Sequence, residues 1–388
     1  MYNFDEVIER RNTNCDKWDK APEGVIPMSI ADMDFALAPF LRDHVTKAFA
    51  NNPVLGYGNY DAESDCINKA VRAWQKERYN VDVPAESVSF AIGVVPAMVM
   101  AIEAFTKEGD AILINQPVYP PFADVVVNNN RDLIVNNLIE VDGRYEVDFH
   151  QFEADITSNN VKLYFLCNPH NPGGRVWTET ELCKIGLICK RHNVLVFSDE
   201  IWRDIVFAPA KFTSFLAVDP SHADFSIVAS AATKTFNIAA SKTSFTIIPN
   251  PKLNAIYLKK RSATKLYEIN ILNALSDLTR VAYEEGADYL DELVKYLQAN
   301  RDFAIRFFKD FLPHVKVQVP EGTYLMWLDF SYYKIDDKAL QSRLSEEARV
   351  MLNPGPTFGK VGANHARLNF ACPRSVLEEA LHRLKEAF

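Results

Sequence analysis

Polar residues that could do chemistry stand at the ends of five short apolar stretches of this chain. The stretches, which predict buried strands, are Val88–Ile92, Ala111–Ile114, Val161–Cys167, Val194–Phe197 and Phe225–Ala229. The residues that follow them include Gly93, Tyr119, Asn171, Asp199 and Lys234, in that order. Because ligands of open parallel sheets bind beyond the carboxyl ends of the strands, we expect these five residues to share one site.

The residue types in this set fit one kind of chemistry. A lysine can form a Schiff base with a carbonyl compound, and an aspartate can hold a pyridinium nitrogen in its charged form. An aromatic side chain can stack on a planar ring, and a glycine turn with free backbone amides can bind a phosphate. The strand ends therefore predict a site for a planar, phosphorylated ligand beside a reactive lysine.

The elements that must position these residues follow two patterns along the chain. Up to about residue 265, nearly continuous apolar strands alternate with helical patterns such as Thr180–His192, as expected for a parallel sheet covered on both faces. The later part predicts an amphipathic helix over Asn273–Phe311 broken near Gly286, an antiparallel strand over Thr323–Phe330, and helices over Asp337–Ala348 and Ser375–Phe388. We therefore expect a large α/β domain followed by a smaller α+β domain.

The expected boundaries divide the chain into three parts. Residues 1–45 would pack as an N-terminal segment against the small domain, residues 46–285 would form the large domain, and residues 286–388 would form the small domain. No long Gly, Ser or Pro linker separates these parts, so we expect them to pack tightly on one another.

The composition narrows the classes of function. Of the 388 residues, 48% are apolar and 24% are charged, and the net charge is −9. This acidic balance argues against nucleic-acid binding, which needs basic patches. The six cysteines are dispersed without a CxxC pair, which favours reduced thiols and a cytoplasmic location. The N-terminus lacks an apolar leader, and no apolar stretch is long enough to span a bilayer, so we expect neither secretion nor a membrane partner.

Motifs for metals and nucleotides are not expected to carry the function. The eight histidines form no HxxxH pair, so no metal site is predicted. The segment Gly355–Lys360 superficially resembles a phosphate-binding loop, but its glycines are too close together and no Ser or Thr follows Lys360.

Eight short motifs, taken in order and at their intervals, resemble one enzyme family. They are Lys17–Asp19, Ala31–Phe35, Pro117–Phe122, Cys167–Trp177, Ser198–Ile201, Lys234–Asn237, Glu321–Tyr324 and Arg367–Pro373. The chain resembles the fold-type I pyridoxal-phosphate enzymes of the class I/II aminotransferase superfamily, and within it the MalY/PatB-type cystathionine β-lyases, which are carbon–sulfur lyases. The resemblance runs nearly from end to end. It implies a mostly parallel central sheet with helices on both faces and a smaller α+β domain.

The resemblance assigns most of the strand-end residues to the cofactor, pyridoxal 5′-phosphate. Lys234 would hold the cofactor as a Schiff base and later move the Cα proton, while Asp199 would pair with the pyridine nitrogen. Asn171 would hydrogen-bond the phenolic oxygen, and Tyr119 would stack on the ring. The remaining cofactor-binding residues would be Gly93, Val94 and Val95, whose backbone amides would face the phosphate, together with Thr233 and Lys242.

The resemblance also implies a substrate side and a second subunit. Arg367 would bind the α-carboxylate of an amino-acid substrate, for which its planar fork is well suited. Trp202 and Asp32 would line the substrate side. Tyr57 matches a tyrosine that reaches the cofactor phosphate of the neighbouring subunit, so a homodimer with shared active sites is expected. The predicted reaction is β-elimination at the carbon–sulfur bond of amino acids such as cystathionine, which yields a thiol, pyruvate and ammonia.

Trp202 departs from the family pattern, and simpler explanations stay open for several residues. Lyases of this type usually carry a histidine at this position and many aminotransferases a tyrosine, so Trp202 could be a wall rather than a ligand. Asp199 could cap a helix, Asn171 could form a turn, and Arg367 could make a surface ion pair. Two other functions are kept as alternatives, namely a class I/II aminotransferase and a regulatory protein that binds a transcription factor.

Overall fold

Seven strands form the central sheet of this protein. The computed structural model describes residues 2–51, 54, 60–264, 275 and 277–388. Its strands, in chain order, are β1 Ile26–Pro27, β2 Val88–Ala91, β3 Ala111–Gln116, β4 Asp132–Asn137, β5 Ile139–Val141, β6 Arg144–Glu146, β7 Leu163–Cys167, β8 Leu195–Asp199, β9 Ser226–Ser230, β10 Ser244–Ile247, β11 Lys316–Gln318, β12 Leu325–Asp329, β13 Val350–Met351, β14 Asn353–Pro354 and β15 His365–Asn369. The central sheet has the order β2–β10–β9–β8–β7–β3–β4. Strand β10 runs antiparallel to both of its neighbours, and the other pairings are parallel.

The five strands predicted from apolar stretches are confirmed, with small shifts at their ends. Strands β4 and β10 were not predicted, because polar residues interrupt their apolar runs. In β10, Ser244 and Thr246 alternate with Phe245 and Ile247, and all four side chains are buried. The parallel strands β3, β7, β8 and β9 end at the same edge of the sheet, where Cys167 lies opposite Asp199.

Helices cover both faces of the central sheet, as predicted. The helices are α1 Asp16–Asp19, α2 Pro39–Asn51, α3 Tyr60–Tyr79, α4 Val94–Phe105, α5 Pro121–Asn128, α6 Phe149–Ser158, α7 Glu179–Arg191, α8 Phe215–Val218, α9 Pro251–Thr264, α10 Leu278–Glu285, α11 Ala287–Phe311, α12 Asp337–Ser342 and α13 Arg374–Ala387. One apolar cluster packs α4, α5 and α9 against the sheet, and another packs α6 and α7 against its other side. The mixed sheet with helices on both faces confirms the predicted α/β class.

The helical predictions hold with local differences. Gly286 separates α10 from α11, so the predicted break in the long helix is confirmed, although residues 273, 274 and 276 lie outside the described residues. Helix α7 begins one residue before its predicted start because Thr178 and Glu181 form a reciprocal capping box. The helix predicted over Asp337–Ala348 is regular only in α12, after which a π-helical turn follows over Arg343–Glu347.

A second, antiparallel sheet lies near the C-terminus and receives the N-terminal segment. Its strand order is β11–β12–β15–β14, and the antiparallel strand predicted over Thr323–Phe330 is found as β12. Strand β1 pairs in parallel with β13. The Asp34 amide donates to the Ala371 carbonyl, and the Asn369 amide donates to the Met28 carbonyl. These contacts support the expected packing of the N-terminal segment, while the division into three parts stays a prediction.

Candidate active site

Four loops at the carboxyl edge of the sheet bring the predicted site residues together. Asp199 is the last residue of β8, and Asn171 lies in the loop after β7. The Asn171 carbonyl accepts a hydrogen bond from the Tyr119 amide at 3.1 Å. Its side-chain oxygen accepts one from Arg367 Nη1, also at 3.1 Å. Lys234, in the turn after β9, is close enough for its charge to lower the pKa of Asp199.

Lys234 lies in a partly buried position with one hydrogen-bond acceptor. Its Nζ donates to the Ala31 carbonyl at 2.5 Å. Among the described residues no carboxylate lies within ion-pair distance of Nζ. Burial lowers the pKa of Lys234 to about 8, and the charge of Arg367 acts in the same direction. The amine is therefore neutral in a large fraction near physiological pH, as nucleophilic or basic chemistry requires.

Asp199 is a buried carboxylate with an unfilled partner position. The side chain is 6% exposed, and its Oδ1 accepts a hydrogen bond from the Ile201 amide at 3.0 Å. Burial raises the pKa of Asp199 to about 7. No Lys or Arg of the described residues forms an ion pair with it. A cationic N–H group placed beside Asp199 would relieve this cost, which is what a pyridinium nitrogen offers.

Arg367 is a buried cation without an anionic partner. Its guanidinium, in a residue 4% exposed, donates to three neutral oxygens, those of Asn171, Asn353 and the Ser29 carbonyl. Burial lowers the pKa of Arg367 to about 10. Its Nε is buried without a hydrogen-bond partner, and no carboxylate of the described chain pairs with it. The simpler explanation, a surface ion pair, is therefore wrong, and the arrangement fits a bound carboxylate.

The start of helix α4 offers backbone donors beside the sheet. Gly93 adopts φ +128° in front of the helix, a conformation that favours glycine. Its amide donates to Ser244 Oγ at 3.1 Å. The amides of Val94 and Val95 belong to the first turn and have no intrahelical acceptor. These two amides are therefore the donors that the helix start presents to an anion.

The other residues expected near the cofactor are placed as follows. Thr233 is buried in the turn that carries Lys234. Lys242 is exposed, has φ +53°, and its charge contributes to lowering the pKa of Lys234, so it faces the same region. Tyr119 is 37% exposed, which leaves its ring accessible for stacking. Tyr57 lies outside the described residues.

Trp202 and Asp32 differ in how far they fit the substrate side. Trp202 is 3% exposed and packs edge-on against Tyr324, with ring centres 4.7 Å apart. Its ring centre lies 5.5 Å from Lys234 Nζ, which supports the interpretation of Trp202 as a wall. The Asp32 carboxylate accepts a hydrogen bond from Arg10 Nη2 at 2.9 Å and is thus already paired.

Asp32 belongs to a buried cluster of charges in the N-terminal segment. Asp34 contacts Lys17 Nζ at 2.6 Å and Arg10 Nη1 at 2.5 Å, and it accepts a hydrogen bond from Trp18 Nε1 at 2.7 Å. Lys17 Nζ also lies 3.7 Å from Asp32 Oδ1. We call Arg10, Lys17, Asp32 and Asp34 the N-terminal charge cluster. Each of its charges has an opposite charge beside it, so it accounts for two of the family-like motifs by structure alone.

A second ion pair joins the Asn171 loop to the segment that leads into β12. Arg175 donates to Glu321 at 2.7 Å and to Glu181 at 2.5 Å. The amides of Glu321 and Gly322 both donate to the Gly174 carbonyl. Gly174 has φ +67°, and a Cβ there would meet Pro320 at 2.5 Å, so this close approach requires glycine. The loop that carries Asn171 is therefore fixed from outside the site.

Two parts of the site were missed by sequence reasoning. The Ala31 carbonyl contacts Lys234, but a backbone oxygen has no signal in the sequence. Tyr324, whose hydroxyl donates to the same carbonyl at 3.1 Å, was part of a recognised motif without an assigned role. Among the described residues, no group of three or more His, Cys, Asp or Glu side chains is placed to hold a metal ion. Likewise, no described helix has the length and apolar character needed to cross a membrane.

The fold and this lysine-centred site define a class of protein that comparison with known sequences identifies. The chain belongs to the aminotransferase class I and II family, whose model matches residues 23–384. It is similar over 99% of its length to cystathionine beta-lyase PatB from Bacillus subtilis, with 38% identity over 390 residues and 99% of that protein covered.

Solved structures show the same architecture. Cystalysin from Treponema denticola, whose structure contains a pyridoxal 5′-phosphate cofactor, matches with a TM-score of 0.94 and 35% identity, over 100% of this chain and 98% of that one. The PLP-bound C-S lyase from Staphylococcus hominis matches with a TM-score of 0.91 and 32% identity, again over 100% and 98%. The expected resemblance to pyridoxal-phosphate carbon–sulfur lyases is thereby confirmed at the level of sequence and fold.

Proposed function

We propose that this protein is a pyridoxal 5′-phosphate-dependent carbon–sulfur β-lyase that acts on sulfur amino acids such as cystathionine. The observation that carries the proposal is the set of buried, unpaired charges at Asp199, Lys234 and Arg367. They match in kind the pyridine nitrogen, the aldehyde and the substrate carboxylate that such an enzyme must hold. The similarity to cystathionine beta-lyase PatB and to two solved lyases supports the reaction type.

The residues present fit this cofactor. Lys234 would carry it through Nζ, Asp199 would hold the protonated ring nitrogen, and Asn171 would donate to the phenolic oxygen through its side-chain amide. Tyr119 would cover one face of the ring. The phosphate would lie at the start of α4, where the amides of Val94 and Val95 are free, with Gly93, Thr233 and Lys242 beside them. When bound, the cofactor supplies an electron sink for the charge that develops at the substrate Cα.

The protein's own groups then place and move the substrate's charges. Arg367 would bind the α-carboxylate in a dry environment, where a charge-assisted hydrogen bond is strong. The low pKa of Lys234 lets its Nζ accept the Cα proton at neutral pH and return it at the same place. Trp202 and the ring of Phe358, which lies 5.0 Å from the Arg367 guanidinium, would keep water from these two groups.

The assembly and location are proposals as well. We propose a homodimer with shared active sites, supported by the match of Tyr57 to the family's tyrosine. A cytoplasmic location is proposed from the cysteines, each of which is free in the structure. The regulatory alternative, binding of a transcription factor, stays a prediction of the sequence.

The deciding experiment supplies the cofactor-loaded protein with cystathionine and no keto acid. The proposal predicts release of thiol, pyruvate and ammonia in equal amounts, and loss of all three in a Lys234→Ala variant. The family also contains aminotransferases, which use the same cofactor residues. Amino exchange that depends on an added keto acid, with no thiol release, would favour that second candidate and contradict a lyase.

A further inference from the structure

The Lys234 amine has a defined resting place on three sides. The Ala31 carbonyl accepts its hydrogen bond at 2.5 Å, the Trp202 ring lies 5.5 Å away, and the Tyr324 hydroxyl donates to the same carbonyl at 3.1 Å. Trp202 and Tyr324 also contact each other edge to face. A reactive amine that shares its single acceptor with a buried tyrosine is an arrangement that the proposed roles do not explain.

We propose that Tyr324 is a positioning residue that, with the Ala31 carbonyl and the Trp202 ring, holds the Lys234 amine in its neutral form whenever the amine is not covalently bound. This inference rests on the proposed function, because it concerns the state of the lysine before it captures the cofactor and after substrate has displaced it. It adds to that function a role for a residue that touches neither the cofactor nor the substrate in the assignments above.

The chemistry of this resting place favours an uncharged amine. A carbonyl is a neutral acceptor, and no carboxylate of the described chain contacts Nζ. The Tyr324 hydroxyl points its hydrogen at the shared oxygen and thereby lowers the negative potential that an ammonium group would feel there. Burial raises the pKa of Tyr324 well above its ordinary value, so the hydroxyl stays a donor over the working pH range.

Tyr324 can act in this way because its own place is rigid. The side chain is fully buried, and its carbonyl accepts from the Phe370 amide at 3.0 Å. The preceding Thr323 has φ +67°, a strained conformation for a β-branched residue, and its amide donates to the Ile205 carbonyl. The ion pair of Glu321 with Arg175 fixes the start of the same segment. Strain at Thr323 together with this support is typical of a functional position.

Wall and hydroxyl make separable contributions. The Trp202 ring excludes water from Nζ, and loss of that exclusion would raise the pKa of the amine toward its ordinary value. The Tyr324 hydroxyl acts through the shared carbonyl, and its loss would leave the ring contact with Trp202 in place. A Tyr324→Phe variant therefore tests the hydroxyl, and a Trp202→Ala variant tests the wall.

The experiment measures how fast cofactor-free protein captures pyridoxal phosphate as a function of pH, followed by the absorbance change of the bound cofactor. Only the neutral amine attacks the aldehyde, so the rate should rise through the pKa of Lys234, near pH 8 in the unmodified protein. We expect Tyr324→Phe to move this midpoint upward by about one pH unit. Its kcat should fall roughly tenfold with KM unchanged, because only proton transfer is affected.

Matched variants separate positioning from general damage. Tyr289 is a buried tyrosine whose hydroxyl has no hydrogen-bond partner among the described residues, so Tyr289→Phe should leave the midpoint and kcat unchanged. Trp202→Phe should keep the midpoint, and Trp202→Ala should raise it. Equal midpoints for Tyr324→Phe and the unmodified protein would overturn this inference while leaving the lyase proposal intact. Failure of the unmodified protein to capture pyridoxal phosphate would overturn both.

Discussion

Two neighbouring groups of buried charges in this molecule differ in one respect. In the N-terminal charge cluster, acids and bases lie 2.5–3.7 Å apart and neutralise one another. At the carboxyl edge of the sheet, Asp199, Lys234 and Arg367 have no opposite charge in contact among the described residues. Because an unpaired buried charge costs free energy, such charges persist where a ligand supplies the missing partner.

The comparison separates a structural role from a functional one, although the two groups are adjacent. The paired cluster fixes the segment that contains Asp32, and the Ala31 carbonyl of that segment contacts Lys234. The unpaired group carries the chemistry. We therefore expect substitutions in the first group to change stability and substitutions in the second to change turnover.

The largest effect is expected for Lys234→Ala. The variant loses both the attachment point of the cofactor and the base, so thiol and pyruvate release should fall by at least about 10³-fold. Because Lys234 makes a single hydrogen bond to a carbonyl, the thermal midpoint of the cofactor-free variant should stay close to that of the unmodified protein. Retained turnover would contradict the assignment of the site.

In the paired cluster, Asp34→Asn should chiefly reduce stability. Lys17, which is 1% exposed, would lose its closest anion and remain as a buried charge. The free energy of unfolding should fall by roughly 3–5 kcal/mol, as is usual when one partner of a buried pair is removed. Urea unfolding of the cofactor-free protein measures this change. An unchanged unfolding midpoint would remove the distinction between the two groups.

The matched change in the unpaired group, Asp199→Asn, should have the opposite profile. Turnover should fall on the order of 10²-fold, because an amide cannot hold the protonated ring nitrogen. The raised pKa of Asp199, about 7, also makes a pH prediction. Between about pH 4 and 7 the folded cofactor-free protein binds more protons than the unfolded chain, so this carboxyl makes stability decline as pH rises through that window.

The Asn variant should therefore show a weaker decline in stability between pH 4 and 7 than the unmodified protein does. Urea midpoints of both cofactor-free proteins across this range provide the measurement. A variant that is less stable than the unmodified protein at pH 8 would show that Asp199 is paired in the same way as Asp34.

The smallest of these effects is expected for Arg367→Lys. Lysine keeps the charge but loses the planar fork, so KM for the amino-acid substrate should rise roughly tenfold while kcat changes little. Capture of pyridoxal phosphate should be unaffected, since Arg367 is assigned to the substrate. A change confined to cofactor capture would place Arg367 on the wrong side of the site.

The sequence predicted those parts of the molecule that have a side-chain pattern. The apolar run before Asp199 and the glycine break at Gly286 have clear local causes, and both are found as predicted. Strand β10 escaped prediction because its buried Ser244 and Thr246 depend on neighbouring strands rather than on hydrophobicity. The Ala31 carbonyl could not be predicted, because its approach to Lys234 joins segments about 200 residues apart through a backbone atom.

The state of a charge is likewise a property of the fold. Asp34 and Asp199 are both aspartates in family-like motifs, and nothing in their local sequence says that the first is paired with a lysine and the second is not. For Arg367, a surface ion pair was an open alternative until the fold showed its burial against neutral oxygens.

The account's central claim is that Lys234 holds pyridoxal phosphate at the unpaired edge of the sheet. The most direct measurement is reduction of the cofactor-loaded protein with borohydride, followed by peptide mass analysis. We predict that the reduced cofactor is attached to the peptide containing Lys234 and that Lys242 is unmodified. Attachment to Lys242 or to another lysine, or no attachment at all, would contradict the claim.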